Sequence, residues 1–166
     1  MHVADGTAYN TSVTLTDVSR APQKQFAAYS FEEGVEIELR AWGQFSTTGT
    51  PTLLLGFYYG GVAGVALGAT AATTTGSGAA AWPWILEYHG RIRVVGTSGS
   101  IVGQGRLALG TSLTAFSMVA LPATAAARTV TVDTTIVKTI TVGAQWGTSS
   151  ASNTLTCNDL SIRIWS

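Results

Sequence analysis

Residues 34–42 read GVEIELRAW, and this stretch decides the fold class. Two sets of side chains alternate along it: Val35, Ile37, Leu39 and Ala41 on one side, and Glu36, Glu38, Arg40 and Trp42 on the other. Because successive side chains of a strand point to opposite faces of a sheet, the pattern predicts a strand with one buried and one wet face. Such strands are typical of antiparallel sheets.

The same period of two recurs on both sides of this strand. Residues 84–94 set Leu86, Tyr88, Ile92 and Val94 against Glu87, His89, Arg91 and Arg93, and residues 12–18 set Val13 and Leu15 against Thr14 and Thr16. Further strands are predicted at 52–59, 62–67, 101–109, 113–121, 128–133, 136–142 and 154–165. Glycine-rich turns separate the strands. We therefore predict one all-β domain over residues 11–166, an antiparallel jelly-roll-like sandwich or barrel, preceded by an N-terminal arm at 1–10.

The last predicted strand contains a break in its alternation. Leu155 and Cys157 share one parity, whereas Leu160, Ile162 and Ile164 share the other. A strand that keeps the same buried face across this change needs one extra residue. We therefore predict a β-bulge near Asn158 and Asp159.

A long uncharged segment at 52–72 permits two interpretations. Gly60, Gly64 and Gly68 recur there at four-residue spacing, as they would on the packing face of a membrane helix. Glycines weaken a helix, however, and the flanking sequence alternates as strands. The favoured interpretation is a strand, a Gly60-Gly61 turn and a second short strand, with no membrane contact.

The low charge of the chain indicates assembly with other protein. Charged residues make up 11% of the 166 residues, and nine basic and nine acidic side chains cancel, whereas an ordinary soluble domain is about 25% charged. Interface cores are depleted in charge. The zero net charge gives no reason to expect a nucleic-acid partner. The start of the chain lacks the pattern of a signal peptide, which predicts synthesis in the cytoplasm without secretion.

No pattern in the sequence predicts chemistry. The histidines His2 and His89 and the single cysteine Cys157 form no metal-ligand spacing, so we predict no metal and no cofactor. Glu36 and Glu38 share a strand face about 7 Å apart, a spacing that inverting glycosidases use. Arg40 continues that face, and solvated charge is the favoured interpretation. We therefore predict a protein that is not an enzyme and has no catalytic residue.

Tryptophans and arginines supply the candidate contact residues. Both residue types are enriched at the centres of protein interfaces, and tryptophan also stacks on sugar rings. The candidate interface consists of Trp42, Trp82, Trp84, Arg91, Arg93 and Trp165. The alternative places Trp84 and Trp146 in the core and leaves Trp82 at the entry of a strand.

The second half of the chain resembles a known protein family. The resemblance is carried by Val132-Asp133-Thr134-Thr135 before a strand, by Ala144-Gln145-Trp146, by the loop Ser150-Ala151-Ser152-Asn153-Thr154 and by a closing strand from Leu160 to Trp165. The order from Trp84 to Pro122 is similar as well. Together these features resemble small β-rich virion proteins of tailed bacteriophages, which include capsid decoration and minor capsid proteins and the heads of tail fibres.

The resemblance implies a jelly-roll-like fold on a virion surface, with no site residues to carry over. It implies a homotrimer that binds the major capsid protein on the outside of the shell and reinforces it. The alternative is the receptor- or carbohydrate-binding head of a tail fibre.

Overall fold

The structure, a computed structural model, describes residues 8–19 and 24–165. Its strands are β1 (Tyr9–Asn10), β2 (Thr16–Asp17), β3 (Lys24–Phe26), β4 (Glu36–Ser46), β5 (Thr52–Tyr59), β6 (Val65–Ala69), β7 (Thr73–Thr74), β8 (Trp82–Val94), β9 (Gly99–Gly110), β10 (Phe116–Leu121), β11 (Thr129–Val132), β12 (Lys138–Trp146) and β13 (Thr154–Trp165). A short 3-10 helix covers Ala125–Arg128. Strand accounts for 58% and helix for 3% of the structure, which confirms the all-β prediction.

The strands form two antiparallel sheets that pack together as a sandwich. The larger sheet has the order β1-β13-β4-β8-β9-β10, and β11 also pairs with β9. The smaller sheet has the order β2-β12-β5-β6, with β3 on β12 and β7 on β5. Residues 8–19 run from one sheet to the other, because β1 pairs with β13 and β2 pairs with β12. Of the predicted arm, residues 1–7 lie outside the described residues, and Tyr9 and Asn10 pair with the larger sheet.

The long strands bury the faces that their alternation predicts. In β4, Ile37, Leu39 and Ala41 are buried, and in β8, Leu86, Tyr88 and Ile92 are buried. Val94 is an exception, because the pairing register shifts between Ile92 and Val94 and leaves Val94 47% exposed. The irregularity turns the end of β8 toward solvent, so the prediction of a buried Val94 was wrong.

The prediction of a strand over residues 12–18 was largely wrong. Only Thr16–Asp17 form a strand, and Val13 is 48% exposed. The chain crosses between the sheets here, and the hydroxyl of Tyr9 donates to the carbonyls of Ser12 (2.7 Å) and Thr14 (2.9 Å). Because these carbonyls bond to a side chain, they need no partner strand.

The uncharged segment at 52–72 folds as two paired strands. Residues of β5 pair with β6 in antiparallel register, and Gly60 and Gly61 between them adopt φ of +89° and +80°. Such φ values favour glycine, so the predicted turn is confirmed. Among the described residues, no helix is long and apolar enough to cross a membrane.

The predicted bulge is present in β13. Cys157 pairs with Gly43 and Asp159 with Trp42, so Asn158 is the extra residue. A Cβ atom at Gly43 would overlap the carbonyl oxygen of Thr156 and lie 2.9 Å from the Trp84 ring. Glycine at position 43 therefore allows the two backbones to approach where the bulge forms.

Candidate interaction surface

The outward face of the larger sheet concentrates charge on one half. The register of the strands brings together Glu36, Glu38, Arg40, Glu87, Arg91, Arg106 and Arg163 on this face. The whole chain has only nine basic and nine acidic side chains. More than a third of the charge therefore lies on half of one sheet face. We call this region the charged half.

Five of the seven charged side chains of this half lie in ion pairs. Glu87 lies between two arginines: Arg40 Nε is 3.5 Å from Glu87 Oε1, and Arg106 Nε is 2.8 Å from Glu87 Oε2. Arg163 Nη1 is 4.0 Å from Glu38 Oε2. The arginine side chains are more than half exposed, so each pair contributes no more than about 1 kcal/mol to stability. Their main effect is to orient the guanidinium groups.

Three of the six predicted contact residues lie on this outward face. Trp165 and Arg91 both pair across Glu36, so they share one row of the sheet. Trp165 is 46% and Trp42 is 47% exposed. Arg91 is exposed, and its Nε donates to the carbonyl of Gly34 at 3.0 Å. Arg93 is also exposed, beside the irregularity at the end of β8.

Trp84 and Trp82 do not belong to this surface. Trp84 is fully buried between the sheets, as is Trp146. Trp84 therefore belongs to the core, and its prediction as a contact residue was wrong because its parity on β8 points inward. Trp82 is half-buried and packs edge-on against Phe45, with ring centroids 6.2 Å apart. Trp82 is the first residue of β8, at the strand entry where the alternative interpretation placed it, and it closes the border of the core.

The β9–β10 hairpin presents an apolar edge that the sequence interpretation missed. Phe116 (44% exposed) and Met118 (55%) lie on β10, and Leu113 (67%) lies in the hairpin loop. β10 is the last strand of the larger sheet. The sequence could have indicated this edge, because residues 113–121 carry no charge on either face of the strand. We call Leu113, Phe116 and Met118 the apolar edge.

A groove lies beside Trp42, on β4, and across the bulge of β13. Its volume is about 480 Å³. Its exposed and half-buried walls are Arg40, Trp42, Pro83, Ile85, Asp159, Ser161 and Arg163, and the buried Gly43 and Trp84 lie beneath them. Asp159 pairs directly across from Trp42 because the bulge turns it to the outward face. The groove therefore combines an indole ring with polar groups of both signs.

The two glutamates and the histidine considered in the sequence analysis, Glu36, Glu38 and His89, lie on the outward face of the larger sheet, as predicted. Glu38 faces Arg163. In residues 8–19 and 24–165, no group of three or more His, Cys, Asp or Glu side chains is placed to hold a metal ion.

The Val132–Thr135 segment of the family resemblance forms a hydrogen-bonded turn. Asp133 Oδ1 accepts hydrogen bonds from the backbone N–H (2.9 Å) and the hydroxyl (2.6 Å) of Thr135. These bonds, assisted by the charge of Lys138, lower the pKa of Asp133. The Tyr59 hydroxyl donates to the Asp133 carbonyl at 2.9 Å, and burial, with the Asp133 charge, raises the pKa of Tyr59 to about 12.

Comparison of the chain with protein-family models, with curated proteins and with solved structures finds no match. The resemblance to phage virion proteins therefore stays a prediction.

Proposed function

We propose that the protein is a non-enzymatic structural component of a tailed-phage virion. It binds the major capsid protein on the outside of the shell as a homotrimer and reinforces it. The observation that carries this proposal is the apolar edge, three large exposed hydrophobic side chains at an uncharged sheet border.

An uncharged edge strand is suited to association. Edge strands offer unpaired backbone groups, and proteins usually protect them with charge, proline or a covering segment. The β10 sequence FSMVAL contains no charge and no proline. Its exposed Phe116 and Met118 are of the residue types that are enriched in interface cores. A neighbouring subunit or a capsid protein would bury these side chains and occupy the open strand edge.

The composition supports the same proposal. Only 11% of the residues are charged, as expected of a molecule that contacts other protein over much of its surface. The arginine–glutamate pairs keep the charged half hydrated, which favours it as the face that stays in solvent.

The test uses purified protein and empty capsids of the parent phage. Wild-type protein should co-sediment with the capsids and raise the temperature at which they disassemble. The double variant Phe116→Asp/Met118→Glu should stay in the supernatant, because each substitution would bury an unpaired charge at the contact. Val137→Glu is the matched control: Val137 is 57% exposed and lies outside the hairpin, so this variant should bind.

Two outcomes would contradict the proposal. The first is a wild-type protein that ignores the capsids, and the second is a double variant that binds as well as the wild type. Copy number separates the capsid from the tail-fibre alternative: hundreds of copies per particle indicate the shell, whereas a few dozen or fewer indicate a fibre head.

A further inference from the structure

The groove at Trp42 lies apart from the apolar edge. Trp42 is on β4 and Met118 on β10, and β8 and β9 separate these strands. At about 4.8 Å per strand spacing, the two side chains are anchored roughly 14 Å apart. A ligand in the groove is therefore compatible with a protein partner at the edge.

The Trp42 ring forms an exposed apolar floor. The side chain is 47% exposed although the core of the sandwich buries Trp84 and Trp146 completely. Ile85 pairs next to it on β8 and Pro83 lines the same groove, and both are only half-buried. A flat indole with an aliphatic wall suits a ligand that has a flat apolar face. The groove volume of about 480 Å³ falls within the range of small-molecule sites.

Polar groups of both signs surround this floor. Asp159 pairs across from Trp42, and in the part of the chain that the structure describes no hydrogen bond or ion pair engages its carboxylate. Arg40 and Arg163 line the same groove, and each is oriented by its glutamate. A guanidinium has five N–H donors, so donors remain after one contact to a carboxylate. Acceptors and donors therefore face the same small space.

This combination selects the chemical class of the ligand. The carboxylates of Glu38, Glu87 and Asp159 balance the guanidinium groups of Arg40, Arg106 and Arg163, so the groove has no net charge that would favour a phosphate, an acidic sugar or an organic cation. An apolar peptide would leave three charged groups without water, at considerable cost. A neutral sugar has an apolar C–H face for the indole, and its neighbouring hydroxyls both donate and accept. We propose that the Trp42 groove is a binding site for a neutral carbohydrate, with Trp42 stacking on the ring and Asp159 accepting from two hydroxyls.

This proposal goes beyond the structural role in the virion and does not depend on it.

The test is an array of neutral oligosaccharides built from hexoses and N-acetylhexosamines, followed by titration of each hit with tryptophan fluorescence. Wild-type protein should bind at least one glycan, and the emission should shift on binding. Trp42→Ala and Asp159→Asn should each weaken binding at least tenfold. Trp165→Ala is the control, since Trp165 is equally exposed on the same face but lies outside the groove.

Three results would overturn the proposal. These are no glycan bound by the wild type, binding that survives Trp42→Ala, or equal losses with Trp165→Ala. A Trp42→Ala variant that loses capsid binding while the wild type ignores every glycan identifies the groove as a protein contact instead. The Phe116→Asp/Met118→Glu variant keeps the two proposals separate, because it should lose capsid binding and retain glycan binding. Circular dichroism and thermal melts confirm that each variant is folded.

Discussion

Asp133 shows how one side chain fixes a turn between two sheets. It follows β11, accepts both hydrogen bonds from Thr135 and presents its own carbonyl to the buried Tyr59 of β5. An aspartate that bonds to the backbone two residues ahead replaces a backbone turn with a side-chain turn. The turn thus ties the end of β11 in the larger sheet to β5 in the smaller sheet. The Val-Asp-Thr-Thr motif therefore has a structural reason that is independent of any family resemblance.

The lowered pKa of Asp133 predicts a pH-dependent contribution to stability. A carboxyl group whose folded pKa lies below its unfolded value stabilises the fold above the unfolded pKa, and this stabilisation is lost as the pH falls through the folded pKa. We expect Asp133→Asn to be less stable than the wild type at pH 7, because asparagine keeps the turn geometry but not the charge. The difference in the free energy of unfolding should shrink as the pH falls below the unfolded pKa of about 3.9 and vanish below the lower folded pKa. Urea melts of both proteins between pH 2.5 and 7 measure this difference in the free energy of unfolding.

If the free energies of unfolding of the wild type and Asp133→Asn differed by the same amount from pH 2.5 to 7, the charge of Asp133 would contribute nothing to stability. Thr135→Val provides the control. It removes the hydroxyl donor, so its own stability should depend less on pH in the same interval.

At the scale of the strands, alternation predicted which face of each long strand is buried, because burial follows directly from the period of two. It failed at residues 12–18, where Tyr9 supplies hydrogen bonds that no local pattern reveals. It also failed at Val94, where the register shifts. Parity places Trp42 on the wet face with Glu38 and Arg40, so part of the site was predictable.

The pairing of β4 with both β13 and β8 was not predictable from the sequence. Pairing depends on contacts between residues far apart in the chain, such as Trp42 with Asp159. The groove exists only because of this pairing, so its residues could not be collected in advance. The bulge was an exception, because a break in parity is a local signal.

The bulge allows two single-residue deletions in β13, of Asn158 and of Thr156, to be compared. Removal of Asn158 deletes the extra residue, so Cys157 and Leu160 stay inward and Asp159 stays outward. Removal of Thr156 gives a chain of equal length, but in a regular ladder it places Asn158 inward at the buried position of Cys157. Burial of an unpartnered amide costs about 1–3 kcal/mol. We therefore expect the Asn158 deletion to be the more stable of the two by about 2 kcal/mol in urea melts.

Equal stabilities, or a more stable Thr156 deletion, would mean that the register of β13 does not govern which side chains are buried. The Asn158 deletion also bears on the groove. Its regular ladder keeps Asp159 across from Trp42, so its glycan binding should be retained together with its core.

At the scale of the whole molecule, the larger sheet has two distinct surface regions, the charged half and the apolar edge. The charged half gathers more than a third of the ionised side chains into paired rows. The apolar edge lies at the β10 border of the same sheet. A single sheet thus presents a hydrated region with a ligand groove and a border suited to association. On this arrangement, subunits joined through β10 would leave the Trp42 grooves open.

Association through β10 makes the melting temperature depend on protein concentration. If three unfolded chains form one folded trimer, mass action favours the folded state as the concentration rises. For a domain of this size, an increase from about 1 to 100 μM should raise the melting temperature by roughly 5 °C. The Phe116→Asp/Met118→Glu variant should melt at the same temperature throughout, whereas Val137→Glu should follow the wild type. A wild-type melting temperature that does not change with concentration would exclude an obligate trimer, and native mass spectrometry of the same samples would then show monomers.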